Sequence, residues 1–507
     1  MKKVITGEEL ILKMTEAVNL LCGSVKVTLG PTGNNALIDN AISPFITNDG
    51  VTIAEAIESE DKCVNAILSV AKESAIKTNE LVGDGTTTTL VLLESIFNKG
   101  IKEIRNGKNA IVLKNELNEA CEEVIKLLKT LNRKPKDKDY YFVSSVSSNS
   151  KEIGKIVSDV FLNLGGFSGI KVSESKSEKT YSEIISGYSF NNTNIFDLFF
   201  KDKNEIVLKD PFILLIDNKL STLEEISEII NNIILEKREI LIIANEFSEI
   251  FVNDFFHLNL TNALKGMILE VPGYGSNKYE VLKDISIFTN SEIICDVGKI
   301  KKIPRINEVR IDKEKTILIN DNKDNNLINN RIKELEKEIE IKEEYLVSDI
   351  KERISKLKNG IGIIYAGAQT KLERREKKMR IEDSVNSVIM AKDGVIVGEG
   401  LSFLSIKDKL EEKNTGFKIL MESLEVPFLQ IMDNAGVNGN EILSNIKKSN
   451  YKNIYNIKEE KYENIEDSSI IDPTLVVITS FKNAVSIASM LLTTKCVVIN
   501  DMDDIIN

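Results

Sequence analysis

The chain has 507 residues, of which 42% are hydrophobic and 28% are charged, and this length predicts three or four domains. Its 66 basic and 78 acidic residues give a formal net charge of −12, which argues against general binding of nucleic acid. The single histidine, His257, excludes a multi-histidine metal site and argues against a Ser-His-Asp mechanism.

The five cysteines are odd in number, lie far apart and include no C-x-x-C pair. This pattern predicts free thiols in a reducing compartment rather than a disulfide framework. The first residues contain two lysines but no following apolar segment of a secretion signal, and we find no apolar run near the roughly 20 residues that span a bilayer. We expect a soluble cytoplasmic protein with no membrane partner.

The first 131 residues are predicted to be mainly α-helical. Apolar residues recur at helical spacing over 8–26, 51–77, 86–97 and 109–131. A short strand is predicted at 36–38, where the helical spacing is interrupted by proline and glycine.

The middle of the chain, over 187–357, alternates between strand and helix signals. The continuous apolar runs at 212–216 and 240–244 are typical of strands that are covered on both faces. Residues 329–358 are predicted to form one long amphipathic helix. A coiled coil is the alternative, but the heptad register slips, so packing within its own domain is favoured.

Two short apolar segments and then further helices follow residue 360, and the last of these helices is predicted at 485–492. The simplest topology is therefore nested, with a helical domain built from both ends of the chain and an α/β domain in the middle. The overall prediction is an α+β multidomain protein.

The strongest local signal is Gly83-Asp84-Gly85-Thr86 with three further threonines. The glycines let the backbone approach a ligand closely, and the helix that begins there has N–H groups that favour phosphate. Asp84 is placed to hold a hard cation such as Mg²⁺. A glycine turn followed by a capped helix explains the same pattern equally well.

Three other glycine segments, at 28–33, 47–51 and 394–400, are each compatible with an ordinary turn. None is a Walker A loop, because no Gly-Lys-Ser/Thr follows. The charged segment 380–383 lies on a predicted helix and in isolation indicates a solvated face.

Together these segments are more specific than any one alone. Taken in chain order they are Leu29-Gly30-Pro31, Asp49-Gly50, Gly83 to Thr88, Arg380 to Asp383 and Ile471-Asp472-Pro473-Thr474. Their order and spacing over residues 4–500 resemble the group I chaperonins, the bacterial GroEL class, with this chain a divergent member. Group II chaperonins share Gly-Asp-Gly-Thr-Thr but carry an apical lid insertion, which is not found here.

The resemblance implies the three-domain chaperonin fold. The equatorial domain would comprise 1–131 and 394–507, the intermediate domain 132–185 and 362–393, and the α/β apical domain 186–361.

The resemblance also implies two hinges. Gly187 and Gly360 match the upper hinge, and Pro135 and Gly394 match the lower one.

The implied cofactors are ATP and Mg²⁺, with K⁺ left open. Asp84 matches the Mg²⁺ ligand, and Asp49 and Asp383 match the catalytic carboxylates near the attacking water. The implied nucleotide contacts are Thr28, Leu29, Gly30, Pro31, Asp84, Gly85, Thr86, Thr87, Thr88, Ser147, Gly398, Gly400, Asn456 and Asp472.

The chain departs from the family at two positions in these segments. Asn48 replaces a usual lysine, and Glu399 replaces the middle one of three usual glycines. These departures keep open a chaperonin-like holding protein with weak or absent ATPase. An unrelated ATP-dependent enzyme is a third possibility, which explains the glycine loops but not the apolar helices of the middle domain.

The function implied by the resemblance is ATP-driven folding of unfolded polypeptides inside a ring. The ring would have seven copies, stacked in pairs, and a co-chaperonin would serve as its lid. The implied client-binding residues are Ile230, Val252, Phe256 and Phe199, with His257 at their rim.

Overall fold

A computed structural model describes residues 2–39, 44–166, 169–193, 196–200, 205–273, 277–295, 303–313, 315–339, 344–465 and 468–500. The chain divides into two compact units. One comprises Met1–Asp159, Val172–Tyr181 and Ile364–Asn507, and the other comprises Val160–Lys171 and Ser182–Ile363. The first is mainly helical and the second is α/β, so the predicted α+β class is confirmed. The three-domain boundaries stay a prediction.

The N-terminal part of the chain is helical, as predicted. Its elements are β1 (Lys2–Thr6), α1 (Gly7–Val25), a 3-10 helix (Lys26–Thr28), β2 (Ala36–Ile38), β3 (Phe45–Thr47), α2 (Gly50–Ala56), α3 (Lys62–Val82), α4 (Thr86–Arg105), α5 (Ala110–Thr130), α6 (Asp137–Ser147) and α7 (Lys151–Asn163).

The middle part alternates between strands and helices. Its elements are β4 (Ile170–Glu174), β5 (Tyr181–Ile185), β6 (Gly187–Asn191), β7 (Glu205–Lys209), β8 (Phe212–Leu220), α8 (Ser227–Leu235), β9 (Glu239–Phe247), α9 (Glu249–Leu260), β10 (Lys265–Glu270), α10 (Asn277–Thr289), β11 (Ile293–Ile294), β12 (Glu308–Asp312), β13 (Lys315–Ile319), α11 (Asn325–Ile339), α12 (Glu344–Asn359) and β14 (Ile361–Ala366), with 3-10 helices at Asp197–Phe199 and Leu223–Ile226.

The C-terminal part returns to helices. Its elements are α13 (Lys371–Ala391), β15 (Val395–Val397), α14 (Leu401–Lys407), α15 (Thr415–Ser423), α16 (Val426–Asn434), α17 (Gly439–Lys448), β16 (Asn453–Asn456), β17 (Lys461–Asn464), β18 (Ile471–Pro473), α18 (Thr474–Thr493) and β19 (Cys496–Asn500).

The core of the first unit joins helices from both chain ends, which confirms the nested topology. Helices α1, α3, α4, α5, α15 and α18 contribute to one continuous apolar cluster. The first and last strands, β1 and β19, pair antiparallel, and β15 pairs with β18. This second pairing places the start of α18 beside Gly394, whose carbonyl accepts the N–H of Thr474 at 3.0 Å.

Helix α18 is longer than the helix predicted at 485–492. It also shows that the expectation of no apolar run near 20 residues was wrong. It is long and apolar enough to span a membrane by composition, with a mean hydropathy of 1.7 over its window. However, 67% of that window is buried inside the protein, so its apolar side chains are used in packing.

The second unit is built on a parallel sheet in the order β10-β9-β8-β11. Both predicted apolar strands lie in its centre and pair in register, with Ile213 opposite Leu241. Ile213 and Leu215 face one apolar cluster with α10, α11 and α12, whereas Leu214 and Ile216 face another with α8 and α9. This alternation explains the continuous apolar sequence. A second, antiparallel sheet has the order β6-β13-β12-β7.

The predicted helix over 51–77 is two helices instead. Asp49 caps α2 by accepting the N–H of Thr52 at 2.8 Å. Asp61 caps α3 by accepting the N–H groups of Cys63 and Val64. The apolar residues keep one helical spacing through this segment, but the two aspartate caps each start a separate helix.

The predicted single helix over 329–358 was also wrong. The structure has α11 and α12, and the intervening residues 340–343 lie outside the described ranges. Arg331 of α11 and Arg353 of α12 both bind the buried Asp284 of α10, at 2.9 and 2.6 Å. Packing on this shared carboxylate requires the two helices to fold back on each other.

At each predicted hinge, two segments of the chain that are distant in sequence lie side by side. Arg133, near Pro135, pairs with Val395, next to Gly394. Gly360 has φ +76°, and a Cβ on it would lie 2.3 Å from the carbonyl oxygen of Ile185, so a larger residue would not fit. Hinge motion at these positions stays a prediction.

Candidate functional site

A cavity of about 220 Å³ lies within the first unit, where the predicted glycine segments meet. Most of the predicted site residues line it, together with both departures from the family pattern. These lining residues are Thr28, Leu29, Gly30, Pro31, Asn48, Asp49, Asp84, Gly85, Thr86, Thr87, Thr88, Ser147, Arg380, Asp383, Glu399, Gly400 and Asp472.

The N-terminus of α4 forms one wall. Gly85 occupies the cap position with φ 79° and offers no side chain to cap the helix. The first N–H groups of α4 therefore lack a side-chain acceptor and lie at the cavity, where the helix dipole favours an anion. Gly50 passes so close that a Cβ on it would lie 2.5 Å from the hydroxyl of Thr87.

The loop after α1 also lines the cavity and is held by side-chain amides. Asn434 donates to the carbonyls of Lys26 and Leu29, each at 2.9 Å. Asn149 donates to the carbonyl of Pro31 at 3.0 Å. The loop is therefore fixed at both ends before any ligand binds.

Among the described residues of the site, Asp84 is the carboxylate that accepts the most hydrogen bonds. Its Oδ1 accepts the N–H of Gly85 at 2.5 Å, and its Oδ2 accepts the hydroxyls of Ser147, at 3.1 Å, and of Ser387. Burial raises the pKa of Asp84 despite these three donors, and the charge of Asp49 adds to the rise.

Asp383 reaches the cavity from α13 and faces the other two acidic groups. Burial raises its pKa well above the ordinary value, and the charges of Asp84 and Asp49 raise it further. Three carboxyl groups thus share one small volume. This arrangement disfavours full ionisation unless a cation is present.

Five carboxyl groups, but only one cationic side chain, Arg380, are among the cavity-lining residues described. A triphosphate alone would be repelled by this set of charges. A divalent cation held by carboxylate and phosphate oxygens would reverse the repulsion, and Mg²⁺ prefers such oxygen ligands. The donor set therefore fits a magnesium–nucleotide complex, with Asp84 as the ligand supplied by the protein.

Glu399 and Asp472 lie together in the same cavity. Burial raises the pKa of Glu399 to about 8 and that of Asp472 to about 7. The charge of Asp472 adds to the rise at Glu399, and the charge of Asp84 adds to the rise at Asp472.

Two predicted contacts are not among the lining residues. Asn456 is buried in the β16–β17 hairpin, where its amide donates to Glu463 at 3.3 Å. Gly398 lies behind Asp472, since a Cβ on Gly398 would be 2.7 Å from an Asp472 oxygen. In this structure both contact neighbouring groups of the protein, and their contacts to a nucleotide stay predictions.

Three further residues of the site were not predicted from the sequence: Ser387, Asn149 and Asn434. Ser387 follows Asp383 by four residues, so both lie on one face of α13. Once Asp383 is assigned to the site, this four-residue spacing predicts that Ser387 lies near it. The two asparagines act through backbone carbonyls of a distant loop, and no local pattern indicates such a contact.

The predicted client-binding residues lie in the second unit and have different environments. Ile230 and Val252 are buried in the cluster under α8 and α9, so packing already occupies them, and they are not available to a client in this structure. Phe199 and Phe256 are half-buried, and their ring centroids lie 5.4 Å apart. His257 is exposed, as expected of a rim residue.

Other apolar side chains of the same two helices face solvent instead. Leu235 is 80% exposed and Ile250 is 62% exposed. Neither is among the predicted client-binding residues, because those follow from family positions and not from the packing of the helices on the sheet.

Comparison with known proteins places these features in a family. The model of the TCP-1/cpn60 chaperonin family matches residues 21–502. The chaperonin gp146 from bacteriophage EL 2 (Pseudomonas aeruginosa), crystallised in the presence of ATP-BeFx, has a similar structure at 22% sequence identity. In its crystal form II the TM-score is 0.79, with 98% of this chain and 99% of that chain covered. Crystal form I has a TM-score of 0.70 at the same identity and coverage.

At that identity the likeness to gp146 shows the fold alone, whereas the family model spans nearly the whole chain. The chain belongs to the TCP-1/cpn60 chaperonin family.

Proposed function

We propose that the protein is an ATP-driven chaperone that binds unfolded polypeptides and folds them in a ring, at the expense of Mg²⁺-ATP hydrolysis. The observation that carries this proposal is the meeting of Asp49, Asp84 and Asp383 at the uncapped N-terminus of α4. Phosphoryl transfer to water requires placement and charge neutralisation rather than a covalent nucleophile.

Each carboxylate has a separate role in this proposal. Asp84, oriented by two serine hydroxyls and one backbone N–H, holds the cation. Bound Mg²⁺ neutralises phosphate charge. Asp383 orients the attacking water and accepts its proton, for which a carboxyl of raised pKa is suited. Asp49 uses Oδ2 to cap α2, and its Oδ1, which has no hydrogen bond within the described part of the chain, would orient water.

The assembly is proposed from the family alone. We propose a homo-oligomeric ring of seven copies, stacked in pairs, with unfolded clients and a co-chaperonin lid, in the cytoplasm. Leu235 and Ile250, together with Phe199 and Phe256, supply exposed or half-exposed apolar surface for clients.

Refolding of a chemically denatured enzyme tests the proposal. We expect wild-type protein with Mg²⁺-ATP to raise the yield of active enzyme, and Asp383→Ala to bind the denatured enzyme without releasing it. Asp393→Ala removes an exposed aspartate just after the same helix and is the matched control. No gain in yield, with ATP and any lid protein present, would contradict a folding role.

A second candidate is a holding protein that binds clients with little hydrolysis. The observation that favours it is the position of Asn48 and Glu399 in the cavity, where the family has a cation and a glycine. Suppression of client aggregation that is indifferent to ATP would support this candidate. Loss of suppression in Ile250→Ser, but not in the control Leu327→Ser on α11, would locate the client surface.

A further inference from the structure

Arg380 has no part in the roles of the three carboxylates. It lines the cavity together with five carboxyl groups, and no other cationic side chain is among the lining residues that the structure describes. Within the described part of the chain its ion-pair partner is none of these five, but Glu376, one helical turn earlier on α13. The cation in the cavity is therefore not used to neutralise the acidic lining.

The guanidinium of Arg380 has donor groups to spare. An arginine carries five N–H donors in a planar fork. Its Nε is ion-paired with Glu376 but buried without a hydrogen bond, and its terminal nitrogens donate to no group among the described residues. Such unpaired donors in a cavity wall call for a ligand, and the anions that match the fork are carboxylate and phosphate.

Two contacts fix the course of α13 past the cavity. Near its start, the guanidinium of Arg375 lies over the ring of Phe45, 5.2 Å from the ring centroid. Phe45 begins β3, which leads directly to Asp49. Further along α13, Ser387 donates to Asp84, just before α4. The helix therefore passes from the segment that ends at Asp49 to the start of α4.

Arg380 lies between these two contacts. It follows Arg375 by five residues and precedes Ser387 by seven, which places it about 7 Å and about 10 Å from them along the helix axis. Asp383 is three residues further on, so both side chains lie on one face of α13, and both line the cavity. Arg380 and Asp383 thus reach the cavity between the Asp49 segment and the N-terminus of α4.

The terminal phosphate of a nucleotide would react in this part of the cavity, because Asp383 is proposed to hold the attacking water there. The water oxygen forms a bond to the terminal phosphorus, and the bond from that phosphorus to the bridging oxygen breaks. The electron pair of the broken bond stays on ADP, and Asp383 accepts a proton of the water. Negative charge is spread over the oxygens of the transferred phosphoryl group, where a cationic donor stabilises the transition state.

We propose that Arg380 is a further catalytic residue, which donates from its terminal nitrogens to oxygens of the transferred phosphoryl group and stays protonated throughout. This inference rests on the proposed nucleotide function. Asn48, beside Asp49 in the same lining, is neutral, so the positive side-chain charge at this point comes from Arg380. The arginine fork contacts two phosphate oxygens at once, which a lysine does not reproduce.

Steady-state phosphate release from ATP by the full-length protein with Mg²⁺ tests the inference. We expect Arg380→Ala to lower kcat at least about 100-fold, and Arg380→Lys to lower it about tenfold because the charge stays and the fork is lost. Arg380→Gln replaces the alanine variant if that variant fails to fold. Lys378→Ala is the matched control and should keep the wild-type kcat, since Lys378 is a cation of the same helix that pairs with Glu382 at 3.2 Å and is not among the described cavity lining.

Calorimetric binding of ADP, with and without aluminium fluoride as an imitation of the transferred phosphoryl group, separates a catalytic role from a structural one. We expect Arg380→Ala to weaken binding of ADP with aluminium fluoride at least about tenfold. Binding of ADP alone should stay within about twofold of wild type, because ADP lacks the terminal phosphate.

Equal weakening of both complexes, or a kcat in Arg380→Ala and Arg380→Gln that matches wild type, would overturn the inference while leaving the ATP site intact. Absence of both hydrolysis and nucleotide binding in wild type would overturn the proposed function itself.

Discussion

At the scale of single residues, the site depends on how its carboxyl groups are partnered. Ser387 illustrates this, because its hydroxyl, on the same helix as Asp383, donates to Asp84. The contact ties α13 to Asp84, the carboxylate that we propose as the cation ligand. We therefore propose that Ser387 positions Asp383 relative to Asp84.

We expect Ser387→Ala to lower kcat for ATP hydrolysis about tenfold while KM for ATP stays within about twofold, because Asp383 is positioned less well. Steady-state phosphate release measures both constants. Ser384→Ala is the control, since Ser384 is buried on the same helix but donates to the carbonyl of Ser144 at 3.0 Å. Equal loss of kcat in the two variants would contradict the positioning role.

Glu399 makes stability depend on pH. Its folded pKa of about 8 lies above the ordinary value of 4.5, because burial and then the charge of Asp472 disfavour ionisation, Glu463 adds to this, and Lys458 opposes it. The folded state thus holds a proton that the unfolded state releases, so stability falls as pH rises from about 4.5 to about 8.

Replacing this carboxyl with an amide should remove the penalty. We expect Glu399→Gln to melt a few degrees above wild type at pH 8.5 and at the same temperature as wild type near pH 5. Thermal unfolding without nucleotide at the two pH values measures this, and Glu460→Gln controls for an exposed glutamate. A difference that is the same at both pH values would be inconsistent with a buried ionisable group.

At the scale of elements, helix caps both divide the chain and build the site. The carboxylate of Asp49 caps α2 and also lines the cavity. Its removal therefore has two separable effects.

We expect Asp49→Ala to reduce both hydrolysis and stability, the latter by about 1 kcal/mol through the lost cap. Asp49→Asn should reduce hydrolysis alone, because an asparagine oxygen still accepts the N–H of Thr52. Phosphate release and thermal unfolding of both variants separate the effects. Equal destabilisation by the two substitutions would show that the cap is not what Asp49 contributes to folding.

The ion cluster of Asp284, Arg331 and Arg353 belongs to the same scale. It is buried between α10, α11 and α12. Asp284→Ala would remove the one fully buried carboxylate that the two guanidinium groups share and leave them with the partly exposed Glu280 as their common partner. We expect a loss of stability of up to about 3 kcal/mol.

Hydrogen exchange should then show lost protection in α11 and α12 while α4, in the other unit, is unchanged. Glu334→Ala is the control, because its side chain is 54% exposed and it reaches Arg331 only from the rim. Unchanged protection in Asp284→Ala would contradict a stabilising role for the cluster.

Many of the helices and strands were predictable from the sequence. Strong periodicity located α1, α4 and α5, and continuous apolar runs located β8 and β9. The errors arose where one polar side chain overrides a periodic pattern. Asp61 starts a helix inside an apolar repeat, and Asp284 holds two helices that the pattern joins into one. Such effects depend on partners distant in sequence or on a single cap.

At the scale of the whole molecule, the nested order of segments was readable because both chain ends are helical and the middle is α/β. The cavity was predictable only from the glycine segments taken together, since each segment alone is compatible with an ordinary turn. The hydrogen bond of Asn456 and the burial of Ile230 and Val252 were not predictable, because they depend on packing that no local pattern reveals. The proposed roles of these residues stay predictions.

The most direct test of the central claim is steady-state phosphate release from ATP by the purified protein, on particles whose mass is measured in the same preparation. We expect Mg²⁺-dependent hydrolysis on a ring-sized particle, lowered at least 100-fold in Asp383→Ala and unchanged in Asp393→Ala. Hydrolysis that is indifferent to Asp383→Ala, or its absence from wild type at every Mg²⁺ concentration, would contradict the account.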